Sequence, residues 1–350
     1  MTATVRRLLA LAAVVLTGCG RLGFSGSIAS STLALDRHDP RETLADFPLL
    51  VVLDDTRADR SLLAADASDL RFLDDSGNVL AHEIEQVGAA GGDPLIAWVR
   101  VPTIAGTTTR IVARYGESPP AASSQSVWSA SYAVVFHFTP DLRDATTNQH
   151  DGVALGAQPA PGMIAGGYAF AAAMQDAVRI VPAADLAFDT FTLSGWMNEA
   201  TLPPFNLFHA LATLEVGTGG GNVFWLGDFT GMYNANVSTT AMPQLALTAR
   251  PASTGNWAHL ALVADATTAS LFVDGVQYDQ IATGAPLVQD ADPIYLGADS
   301  NGGTRADSDW LDGTIDELRL EHGVRSAAWL ATDDLAMRDR LITYGPIEYR

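Results

Sequence analysis

Residues 256–278, NWAHLALVADATTASLFVDGVQY, constrain this chain most, because they spell three successive antiparallel strands in one short stretch. Residues 257–263 are almost wholly apolar and β-prone, and residues 270–273 form a second apolar run. Asp274-Gly275 then stands where a two-residue primed turn needs positive φ, and residues 276–278 return as the third strand. A chain organised around such a meander is expected to be all-β.

Composition sets the scale. The 350 residues are 48% hydrophobic and 17% charged, enough for two domains with cores of their own. A formal net charge of −20 speaks against a broad basic surface, so nucleic acid is not an expected partner. The single cysteine, Cys19, rules out an intramolecular disulfide or a thiolate metal cluster. Its surroundings explain it: Arg6 and Arg7 precede an apolar run, and Leu16-Thr17-Gly18-Cys19 follows. The run is too short to span a bilayer, and the whole resembles a bacterial lipoprotein signal peptide with its lipobox. That resemblance implies cleavage before Cys19 and acylation of Cys19, which anchors the chain to a membrane. Gly20 rather than an acidic residue after Cys19 favours the outer membrane of the cell envelope, by resemblance to enterobacterial sorting rules.

Organisation follows from turn signals. Residues 1–18 read as signal peptide and the Gly/Ser-rich 19–40 as a flexible tether. Residues 41–118 carry five short β-prone runs, which predict a small β-sandwich. Residues 119–130, with Pro119-Pro120 and a Ser/Ala/Gln run, read as a linker, and 131–350 as a second domain. After the last strand, Ser326 is placed to cap a short C-terminal helix that includes Trp329, Leu330, Asp333 and Asp334.

Several strings carry family resemblances. The central meander, FTLSGWM at 191–197, IYLG at 294–297 and LDGTIDELRL at 311–320 resemble, in order, the strands of laminin-G-like domains of the concanavalin A-like lectin/glucanase superfamily. DLRFLDDSGNVLAHEIEQ at 69–86, AWVRVP at 97–102 and RYG at 114–116 resemble a bacterial domain of unknown function of the MotA/TolQ/ExbB-associated type, and VRSAAWLATDD resembles the tail of such two-domain chains. Glu117 stands where that domain has an asparagine. The resemblances imply an all-β fold, a small β-sandwich followed by a concanavalin A-like jelly roll. They imply binding of a polysaccharide or glycoconjugate, or alternatively a surface protein or an ExbB/TolQ-type complex; fold alone does not choose.

The glucanases of that superfamily carry Glu-x-Asp-x-(x)-Glu, with carboxylates on one strand face. Neither His82-Glu83-Ile84-Glu85 nor the stretch from Asp316 and Glu317 to Glu321 has that order, so no enzyme is expected. The glycines near 217–221 lack the Lys-Ser/Thr of a phosphate loop, and His137 and His259 lie in strand-like runs as core or interface residues. Two acidic loops suit calcium, which takes several oxygen ligands. The expected set is Asp316, Asp144, Asp141 and Asp312, Asp316 by resemblance to the superfamily's late-strand ligand; the alternative is solvated turn residues. Trp225, Tyr233 and Trp310, in or near loops, are the candidate sugar-stacking rings, whereas Trp196 and Trp257 read as core.

Overall fold

The computed structural model describes residues 28–38, 41–106, 109–116, 126–215, 217, 221–290, 292–300 and 306–350. Cys19 and its lipobox lie outside the described residues. The first domain contains β1 (Ala29–Leu35), β2 (Leu44–Leu53), β3 (Arg71–Asp74), β4 (His82–Gln86), β5 (Leu95–Ile104) and β6 (Thr109–Tyr115). The second runs through β7 (Tyr132–Phe136), β8 (Gly152–Leu155), β9 (Gln158–Pro161), β10 (Gly166–Phe170), β11 (Ala177–Ile180), β12 (Phe191–Glu199), β13 (Phe208–Glu215) and β14 (Asn222–Phe229). It continues with β15 (Met232–Val237), β16 (Leu245–Pro251), β17 (Trp257–Ala264), β18 (Thr268–Val273), β19 (Val276–Ala282), β20 (Ile294–Leu296) and β21 (Gly313–His322). Helix α1 (Ala327–Met337) and β22 (Ile342–Tyr349) close the chain.

The second domain is two antiparallel sheets face to face. An eight-stranded sheet in the order β19-β18-β17-β12-β21-β10-β9, with β7 paired to β21, packs on a seven-stranded sheet in the order β16-β15-β14-β13-β20-β11-β8. Phe191, Leu193, Leu260, Leu262, Leu318 and Leu320 of the one meet Leu211, Phe224, Leu226 and Leu296 of the other. The meander is found as β17, β18 and β19, and its turn has positive φ at Asp274 (52°) and Gly275 (72°). A side chain at Gly275 would meet Ala331 Cα at 2.9 Å, so the turn is tucked against α1. Arg338 seals the contact by donating to Asp274 (2.7 Å).

In the first domain a four-stranded sheet, β22-β1-β6-β3, packs on a three-stranded sheet, β2-β5-β4. Two boundaries from the sequence are corrected here. The tether expected over 19–40 ends early, because Ala29, Ser31, Leu33 and Leu35 alternate inward and form β1 between β6 and β22. The second domain does not run to 350, because β22 returns to pair with β1, Ala29 opposite Tyr349. The expected linker also packs: Val127 and Trp128 are buried in the contact between the domains.

The two domains share a core. The outer face of the eight-stranded sheet offers Ala261, Val263 and Phe272 to the first domain, and α1 adds Trp329, its ring 5.0 Å from that of Phe47. Ser326 caps α1, its hydroxyl accepting from Trp329 N at 3.1 Å, as the sequence predicts.

Candidate functional site

One face of the jelly roll is covered by the first domain, and the other is crossed by its own segment through Ser308, Asp309 and Trp310. On the outer face of the eight-stranded sheet Trp196 and His259 are buried, with ring centroids 5.0 Å apart. Glu317 and Glu321 lie on that covered face too. Glu317 accepts from Arg319 (3.2 Å) and lies 2.7 Å from His137 Nδ1, and Glu321 accepts from Arg325 (2.7 Å). Neither is placed to meet a sugar ring.

The outer face of the seven-stranded sheet carries the candidate site. In β14 Phe224 and Leu226 enter the core, so strand alternation turns Trp225 outward, where its ring meets that of Phe208 at 5.1 Å and 71°. Trp225 and Phe208 lie beside a depression of about 330 Å³ whose polar wall includes Asn222, Asn236, Gln244 and Asp309. Hydrogen bonds hold that wall. Asp299 accepts from Asn222 Nδ2 (3.1 Å) and Ser300 N (2.8 Å), and Ser300 donates to Glu215 (3.0 Å). Across residues 306–310 a second depression, also about 330 Å³, is lined by Trp310, Tyr295, Arg179 and Gln175.

Asp309, with φ +55°, lines the first depression, and its neighbour Trp310 lines the second. Burial, then the nearby Asp299 carboxylate, pushes its carboxyl up to about 7, against the pull of the Trp225 indole. Burial raises Asp299 as well. A carboxyl raised as far as that of Asp309 donates as an acid and accepts as a carboxylate near neutrality, and amides beside it offer both roles, which suits the hydroxyls of a polyol ligand.

The three sugar-stacking candidates separate. Trp310 is half-buried against Ala177, Tyr295 and Ala298 and keeps an edge on the second depression. Trp225 faces the right way, but its exposure is 1%, so it forms the floor and is no open platform. Tyr233 joins the inner core, where Arg250 lies over its ring at 5.2 Å. The loop signal around Tyr233 misled because the glycine-rich turn precedes an inward strand position.

The four aspartates expected to share calcium are not brought together. Asp144 accepts from Val135 N, Thr146 N, Thr146 Oγ1 and His150 N, holding its own loop. Asp141 pairs with Arg143 (2.9 Å), and Asp312 accepts from Thr201 (2.9 Å). Asp316, fully buried, accepts from Ile164 N and Glu317 N, both 2.8 Å. Donors from their own loops or from neighbouring residues already occupy both oxygens of Asp144, Asp141 and Asp316 and one of Asp312.

Sequence reasoning missed a buried polar group at one end of the jelly roll. Glu199 of β12 contacts His209 Nδ1 of β13 at 2.9 Å, and its charge acts on Asp228 of β14, whose two carboxyl oxygens are buried without a hydrogen-bond partner. Burial pushes Glu199 to about 7, and burial with the Glu199 charge pushes Asp228 to about 7. The signal was an acid in step with the inward residues of each strand, Glu199 after Phe191, Leu193 and Met197 in β12 and Asp228 after Phe224 and Leu226 in β14.

Residues 172–331 match the model described as the Concanavalin A-like lectin/glucanases superfamily. The chain carries a concanavalin A-like domain. Residues 66–150 match a domain of unknown function (DUF2341) that precedes it, and this match reaches through β7 into the loop beyond. Among solved structures, the binding domain of Paraclostridial Mosquitocidal Protein 1 is similar at TM-score 0.49 and 11% identity, covering 58% of this chain and 52% of that one. Domain 4 of AbnA, a GH43 extracellular arabinanase from Geobacillus stearothermophilus in complex with arabinotriose, is similar at TM-score 0.41 and 20% identity, covering 60% and 100%. The binding domain of Botulinum Neurotoxin DC in complex with SialylT is similar at TM-score 0.46 and 10% identity, covering 59% and 51%. The chain spans about half the length of the two toxin domains. No curated protein matches.

Proposed function

We propose that this chain is a lipid-anchored, non-catalytic protein of the cell envelope that binds a polysaccharide or glycoconjugate on the outer face of its seven-stranded sheet. The observation that carries the reading is the asymmetry of the jelly roll. One sheet face is sealed under the first domain, while the other presents two depressions walled by amides, carboxyls and aromatic rings. Binding is favoured over hydrolysis because Glu317 and Glu321 lie on the sealed face in ion pairs. Anchoring through Cys19 in the outer membrane rests on the basic and apolar run before it and on Gly20 after it.

The reading as a protein-binding module has one observation of its own. Phe205 is 88% exposed, beside the partly exposed Leu202 and Leu207 at the same end of the domain. A glycan array probed with the purified protein separates the two. Oligosaccharide binding that weakens several-fold in Asp309→Ala and Trp310→Ala supports the sheet face, a ring contact being worth about 1 kcal/mol. Binding unaffected by both substitutions, or no bound glycan, overturns it, and release of reducing ends would make the chain an enzyme.

A further inference from the structure

The contact between the two domains holds a group that neither the binding face nor the family assignment uses. Glu85 of β4, His137 just after β7 and Glu317 of β21 bring one ligand-type atom each within 4.8 Å of one another. The first domain supplies Glu85 and the jelly roll the other two. His137 Nδ1 lies 2.7 Å from Glu317 Oε1 and 3.8 Å from Glu85 Oε2. The side chains of Glu85 and Glu317 are fully buried, and that of His137 is 9% exposed.

The ring is oriented from behind. Its Nε2 lies 2.9 Å from Glu83 Oε1, so an Nε2–H held by that carboxylate leaves the Nδ1 lone pair facing the two glutamates. This carboxylate–histidine arrangement recurs behind metal-ligating histidines, where it fixes the tautomer and raises basicity. Glu83 is held in turn by the Trp128 indole N–H at 2.7 Å.

A second observation points to a missing partner. Glu85 Oε2 accepts from the Trp98 indole N–H at 2.9 Å, but Glu85 Oε1 is buried with no hydrogen-bond partner. The neighbouring Thr139 hydroxyl, which favours the charged form of Glu85, donates to the His137 carbonyl oxygen at 3.4 Å. An unpaired carboxylate oxygen is among the costliest atoms to bury.

The backbone is bent to aim the third ligand. Ser194 pairs with Arg319 and Trp196 with Asp316, so Glu317 falls in a bulge of β21 with φ +48°. A non-glycine residue held there turns its side chain out of the ladder, as bulges do beside functional sites. Acids also outnumber bases around the group. Glu83, Glu85, Glu317 and Asp333 face His137 and Arg319, and Arg319 is already engaged by Glu317 (3.2 Å) and Asp333 (2.9 Å).

We propose that Glu85, His137 and Glu317 bind one first-row divalent cation, for which zinc is the probe, and that this ion ties the first domain to the jelly roll. One imidazole nitrogen with carboxylate oxygens is a donor set suited to such ions, whereas calcium takes six to eight oxygens. The competing occupant is a proton shared by His137 and its glutamates.

The test uses the whole protein produced in zinc-supplemented medium, desalted, and assayed by elemental analysis and by anomalous diffraction at the zinc edge. The expected result is about one zinc per chain, with an anomalous peak among the three side chains and a fall of about tenfold in zinc content in Glu85→Gln and His137→Gln. If either variant fails to fold, the position of the wild-type peak decides. No zinc in the protein, a peak elsewhere, or unchanged content in both folded variants overturns the proposal and leaves the proton as the bridge.

Discussion

The Glu199 and Asp228 pair gives stability a pH dependence that one substitution should remove. Both acids are buried between the sheets, and both are raised to about 7, from 4.5 for Glu199 and 3.8 for Asp228. An acid whose pKa is higher in the folded than in the unfolded state binds its proton more tightly when folded. Its contribution is therefore complete below the unfolded value and is lost as the pH rises through about 7. A rise from 4.5 to about 7 corresponds to about 3 kcal/mol, and because the Glu199 charge raises Asp228 the two titrate together and that figure belongs to the pair. Between pH 5 and pH 8 the wild type should lose stability of that order through this pair, on the order of 10 °C in Tm for a domain of this size. Glu199→Gln keeps the shape and the contact to His209 but removes one charge, so Asp228 no longer faces a carboxylate. Urea denaturation of both proteins at the two pH values is the assay, and the difference between their pH slopes isolates the pair from Asp309 and Glu321, which are also raised to about 7. Parallel slopes would refute the reasoning.

Further expectations follow from single contacts. Leu33→Ala, in the strand that joins the chain's first and last described segments, should cost about 3 kcal/mol in a denaturant titration, because Leu33 is fully buried. Ser326→Ala should cost about 1 kcal/mol through loss of the α1 cap, read by the same titration. Asp144→Ala should lower stability by about 2 kcal/mol equally with calcium and with EDTA, because its oxygens serve backbone and threonine donors. Cys19→Ala should leave the precursor unprocessed and unlabelled by fatty acid, while the wild type labels; equal labelling of both would end the lipoprotein proposal.

The jelly roll was legible because its signals are local. The primed turn at Asp274-Gly275, the apolar run of β17 and the Ser326 cap each act within a few residues, and each is found where the sequence puts it. What was not legible is set by contacts distant in sequence. Ser30 and Thr32 disguised β1 as tether, although Leu33 and Leu35 alternate inward once β22 is there to pair with it. Glu317, Arg319 and Glu321 alternate in β21 like a wet strand face, yet the first domain covers them and makes them a buried ion-pair network. Trp225 was misjudged for a related reason: its outward direction is correct, but its burial depends on the segment carrying Ser308 and Asp309, which approaches only in the fold.

The central claim, that the seven-stranded sheet carries a carbohydrate site, is tested most directly by a crystal structure of the protein with the oligosaccharide that scores highest on the array. The account predicts sugar density in the depressions beside Asp309 and Trp310, with hydroxyls bonded to the carboxyl and amide wall. Density at the exposed Phe205 end, or on the first domain alone, would contradict it.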